Sequence, residues 1–158
     1  MLDTWRESCV RGEEKYCIAI FAIHSKSDYV SYFIFDSLGA VVRNCDNGMA
    51  GSCHAVGEYC YNIYTESPNG KEALSMSESA LLYLQKACDL GMAVSCSFVA
   101  QMYKYGHFQD ATEQAKIHED KARGIASRDC KAGIKIACDF KEILALEKNV
   151  LVLLLRWL

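Results

Sequence analysis

Eight of the nine cysteines in this chain of 158 residues fall into four pairs, each with seven residues between its members. The pairs are Cys9 with Cys17, Cys45 with Cys53, Cys88 with Cys96, and Cys130 with Cys138, leaving Cys60 over. Cysteine sulfur can cross-link, ligate a metal, attack an electrophile, or fill a core as a small apolar side chain. Random placement of nine cysteines would give about half a pair at this separation, so the spacing favours a framework over scattered core residues. Structural zinc sites draw cysteines in pairs about two to four apart, which the seven-residue gap does not match. The expectation is therefore four disulfides, no metal, and a buried free thiol at Cys60. On the chain-entropy account each nine-residue loop contributes about 2.5 kcal/mol, an upper figure.

Other reactive constellations are sparse. A serine acyl-enzyme of the β-lactamase type needs a lysine three residues after its nucleophile, and none of the thirteen serines has one; Ser8, Ser95 and Ser127 are followed at that distance by Arg11, Phe98 and Cys130. Cys53 and His54 are adjacent, but neighbours on a helix point about 100° apart, and Cys53 is assigned to a bridge. His24, His54, His107 and His118 form no metal-binding spacing. The reading is that the protein is not an enzyme and carries no cofactor. Haem ligation needs no motif, and no motif here supports it.

The elements that would position these cysteines follow from a glycine three residues after the first member of each pair: Gly12, Gly48, Gly91 and Gly133. The first cysteines lie 36, 43 and 42 residues apart, a period typical of α-solenoids built from helix pairs. The clearest copy runs from Ser79 to Gly91, with Ala80, Tyr83, Leu84 and Ala87 on one helical face. Gly91 falls at the position after a helix where a left-handed backbone is needed. Ser95 is a candidate cap for a following helix from Cys96 to Gly106. Helix, glycine turn and helix make an αα-hairpin, which brings each cysteine pair onto adjacent helix ends within disulfide reach. Gly57 and Ala100 occupy equivalent places where small side chains let helices approach closely. Residues Asn62 to Ser75, with Pro68 and Asn69-Gly70, read as the connecting loop. The fold class is thus all-α, a single repeat domain over residues 1–158. Its turns lie at 9–17, 45–53, 88–96 and 130–138, and an apolar terminal helix covers about 139–158.

Composition narrows the partners. Seventeen basic residues against twenty acidic ones give a net charge of −3, so no basic field spans the chain to hold nucleic acid. The segment Met1–Arg11 lacks the apolar stretch of a secretory signal and the acid-free character of a transit peptide. The apolar runs Cys17–Ile23 and Val150–Leu155 are too short to cross a bilayer. Disulfides belong to oxidising compartments, which conflicts with the lack of a visible export signal.

Lys86-Ala-Cys-Asp-Leu-Gly91, Cys96 and Met102-Tyr-Lys-Tyr-Gly106 resemble the cysteine-rich Sel-one-like (SLR) repeats, relatives of the tetratricopeptide repeat. Asn44 through Cys53 is similar to a second copy. The resemblance spans about residues 40 to 125. It implies a protein-binding α-solenoid of one of two kinds. One is the mitochondrial intermembrane-space factor for cytochrome c oxidase assembly, whose last repeat is followed by a charged helix as Ala111–Arg123 follows here. The alternative is a secreted or periplasmic bacterial cysteine-rich protein binding β-lactam or peptidoglycan-like ligands. The intermembrane space oxidises incoming cysteines without a cleaved presequence, which resolves the targeting conflict and makes it the preferred location. Partner recognition would use a concave helical surface, with Tyr61 and Tyr105 the exposed aromatic candidates and the apolar C-terminal helix a further contact surface.

Overall fold

A single proline and repeated three- and four-residue apolar spacing leave helix with little competition, and every regular element among the described residues is α-helical. In this computed structural model the backbone is described for residues 2–11, 13, 15–16, 31–106, 108 and 110–155. The helices are α1 (Leu2–Val10), α2 (Ser31–Asp46), α3 (Ala50–Glu66), α4 (Ala73–Asp89), α5 (Ala93–Tyr105), α6 (Ala111–Lys131) and α7 (Lys135–Leu155). The chain divides into two compact units, Met1–Ser95 and Cys96–Leu158. Cys17, Gly12, His24 and His107 lie outside the described residues.

In the first unit α2 packs on α1 and α3, and the most extensive packing is between α3 and α4. The stripe that α4 buries is Ala73, Ser77, Ala80, Leu84, Ala87 and Cys88, at the three- and four-residue intervals of one helix face. On α3 the buried set is Ser52, Cys53, Ala55, Val56, Gly57 and Cys60. Small side chains dominate both faces, so the helices can pack closely. Gly57 marks the tightest point: a Cβ built there would lie 2.6 Å from Leu84 Cγ and 2.9 Å from the Leu84 backbone nitrogen.

One turn is built three times. Gly48, Gly91 and Gly133 have φ of 85°, 95° and 88°, a region that costs a Cβ-bearing residue about 1–2 kcal/mol. In each case the glycine N–H donates to the carbonyl of the first cysteine of its pair, Cys45, Cys88 or Cys130, at 2.9–3.0 Å. The next N–H, from Met49, Met92 or Ile134, donates at 3.1 Å to the carbonyl of Asn44, Ala87 or Asp129. This is the Schellman arrangement, which satisfies carbonyls left over at the helix end. The residue after the glycine immediately precedes the next helix, so only three residues separate each pair of helices.

In the second unit α6 packs on α7, and its buried stripe is Ala115, His118, Ala122, Ile125 and Ala126. Tyr103 of α5 meets Phe108 edge-on at 5.6 Å and stacks on His118 at 5.7 Å between ring centroids. His118 also contacts the Gln114 carbonyl through Nδ1 at 2.8 Å, which makes it a core histidine.

Three boundaries differ from the sequence expectation. The loop expected over Asn62–Ser75 shrinks to residues 67–72, because α3 runs on to Glu66 and α4 begins at Ala73. A tight turn at Ser67-Pro68-Asn69-Gly70, closed by the Gly70 N–H on the Ser67 carbonyl at 3.0 Å, reverses the chain. Ser95 does not cap α5, which starts two residues earlier at Ala93, and its hydroxyl is engaged elsewhere. The terminal helix starts at Lys135 rather than about residue 139 and so includes Cys138.

Candidate functional site

Counted from the helix ends, the cysteines occupy constant places. The first member of each described pair is the second residue from its helix end, and the second member is the fourth residue of the next helix. The Schellman turn fixes the distance between those two positions. Cys45–Cys53 and Cys130–Cys138 are both disulfides with Cα atoms 4.6 Å apart, within the range a bridge tolerates. Cys9, Cys88 and Cys96 are also in the disulfide state, and all three are fully buried. Ala87, Tyr83 and Met92 pack over Cys45 and Cys53, so that bridge forms part of the core.

Cys60 is a free thiol, seven residues after Cys53 on α3, and it is buried. Burial pushes its thiol above the ordinary range, partly offset by a backbone hydrogen bond. A buried thiol held in its protonated form is a poor nucleophile. Burial likewise raises the neighbouring Tyr59 phenol, with the Cys60 charge adding to the effect.

A side-chain constellation that spacing did not reveal joins His54, Ser95 and Glu58. Ser95 Oγ lies 2.9 Å from His54 Nδ1, and Glu58 Oε2 lies 3.7 Å from His54 Nε2. In the neutral tautomer that suits both, the serine hydroxyl donates to Nδ1 and Nε2–H faces the carboxylate. Desolvation lowers the His54 pKa, opposed by the Glu58 charge. A serine, a histidine and a carboxylate are the components of a hydrolase triad, but Ser95 is 0% exposed and closed to any substrate. The contact instead anchors the first turn of α5 to α3. Glu58 is four residues from His54, a detectable helix spacing, but Ser95 is 41 residues away and only the tertiary fold brings it there.

Tyr105 is 76% exposed, with the Lys104 ammonium 5.6 Å from its ring centroid. Tyr61 is only partly exposed and is engaged within the protein, which makes it a smaller target than the sequence suggested. Leu74 and Leu82 on α4 and Ile136, Ile143 and Leu146 on α7 are also more than half exposed. Among the described residues no group of three or more His, Cys, Asp or Glu side chains is placed to hold a metal ion. No helix among them is long and apolar enough to cross a membrane.

The chain matches no protein-family model, no curated protein and no solved structure. The likeness to SLR repeats therefore rests on the residues quoted for it, chiefly Lys86–Gly106 and Asn44–Cys53.

Proposed function

We propose that this protein is a non-enzymatic scaffold in which disulfide-closed helical hairpins stack as an α-solenoid and present side chains to a protein partner. The observation that carries the reading is the threefold recurrence of one turn. Gly48, Gly91 and Gly133 share the same left-handed backbone and the same two hydrogen bonds, at intervals of about 40 residues that match helix-pair repeats. The packing of Met92, Tyr83 and Ala87 over the Cys45–Cys53 bridge supports stacking of one hairpin on the next. Exposed large apolar side chains such as Tyr105, Leu82 and Ile136 supply area that a partner would cover. Intramolecular bridges fit an oxidising compartment. The finer assignment is to cytochrome c oxidase assembly in the mitochondrial intermembrane space, and it rests on the SLR resemblance.

A peroxidase fusion expressed in intact cells tests that assignment. Labelling of intermembrane-space proteins, with lower assembled cytochrome c oxidase when the chain is removed, is the expected result. Labelling confined to cytosolic proteins, with oxidase unchanged, would overturn both the location and the role.

A further inference from the structure

The two bridges with described geometry are built alike, with the same Schellman turn and the same Cα separation, yet they differ in cover. Cys45 and Cys53 are 0% exposed, beneath Ala87, Tyr83 and Met92. Cys9, Cys88 and Cys96 are equally buried. Cys130 and Cys138 are the partly exposed cysteines among the described residues, and every residue from Lys131 to Ile136 between them is exposed. Thiol–disulfide exchange needs a thiolate to reach one sulfur of the bridge, so access separates these bridges where local geometry does not.

We propose that Cys130–Cys138 is a thiol–disulfide exchange site, opened by a dithiol reductant while the buried bridges stay closed. In the first step a reductant thiolate bonds to one sulfur of the bridge, the Cys130–Cys138 bond breaks, and the electron pair goes to the other cysteine. In the second step the other thiol of the reductant, as its thiolate, attacks its own partner sulfur and releases the first cysteine. The dithiol is oxidised to its disulfide, and both cysteines end as thiols after taking up two protons. The exchange opens the α6–α7 hairpin and leaves the α2–α3 turn cross-linked.

Graded dithiothreitol added to the folded, oxidised protein, with alkylation by N-ethylmaleimide and peptide mass mapping, tests the selectivity. Trypsin cuts after Lys131 and Lys135, which separates the two cysteines for assignment. Cys130 and Cys138 are expected to be alkylated at a reductant concentration at least about tenfold below that needed for Cys45 and Cys53, with the preference vanishing in urea. Opening of all bridges at one concentration, opening of Cys45–Cys53 first, or a preference that survives in urea would each overturn the proposal.

Discussion

Gly57→Ala separates a structural glycine from an incidental one, because the same substitution at Gly124 meets no obstacle. At position 57 the new methyl group would sit 2.6 Å from Leu84 Cγ and 2.9 Å from the Leu84 nitrogen. Leu84 is fully buried, and a backbone nitrogen cannot rotate away, so α3 and α4 must part by several tenths of an ångström along their most extensive interface. Overpacking of this kind costs about 1–3 kcal/mol. At Gly124, inside α6, no atom lies within 4 Å of the added Cβ. Both variants gain about 1 kcal/mol of helix propensity, so their difference isolates the steric cost. Urea unfolding of the oxidised proteins, followed by circular dichroism, should show Gly124→Ala stabilised and Gly57→Ala about 1–3 kcal/mol below it. At this chain length each kcal/mol corresponds to about 2–4 °C in melting temperature. Gly39→Ala serves as a control within the same unit, since its Cβ meets only the flexible end of Arg43 at 3.5 Å. If Gly57→Ala moved with the two controls, the close approach of α3 and α4 would be wrong.

Gly133 tests the turn itself: its φ is 88° and nothing lies within 4 Å of an added Cβ, so Gly133→Ala should cost about 1–2 kcal/mol from backbone strain alone, and Gly133→Asn less. Equal losses for both variants, measured by thermal melts, would rule out the left-handed backbone as the cause. His54 should make stability fall in acid. Its folded pKa lies below its unfolded value of about 6.5, so stability is fully present above that pH and declines as pH drops toward the folded value, because the unfolded chain then binds the proton more readily. The urea midpoint of wild type should therefore fall between pH 7 and pH 5 by more than that of His54→Gln, and parallel curves would refute the assignment. Cys60 should resist N-ethylmaleimide in the native protein and react fully in denaturant, and rapid native labelling would contradict its burial.

Much of this architecture was written in local spacing. A cysteine, two residues, a glycine and four more residues before a second cysteine encode a helix end, a left-handed turn and a helix start, all within nine residues. The face containing Ala80, Leu84 and Ala87 was visible for the same reason, and so was the need for a small residue at Gly57, although not that Leu84 would fill the space above it. The boundary errors arose where local chemistry competed with packing. Ser95 has the composition of a helix cap, but burial and the hydroxyl contact to His54 place it inside the first turn of α5. Residues 62–66 sit beside a proline and an Asn-Gly pair, which signal a loop, yet they continue α3. The Ser95–His54 contact was beyond reach because it spans 41 residues, and nothing in either neighbourhood requires the other.

The placement of the Cys45–Cys53 and Cys130–Cys138 bridges, each across its own three-residue turn, has a bearing on how the chain matures. Eight cysteines admit roughly a hundred ways of pairing in fours, and a random search would be slow and error-prone. Here the correct partner is held nearby as soon as one glycine reversal and its two flanking coils have formed, before any distant part of the polypeptide is available. Oxidation can then proceed one loop at a time. The order of closure need not matter, and early closure of one loop does not obstruct the next.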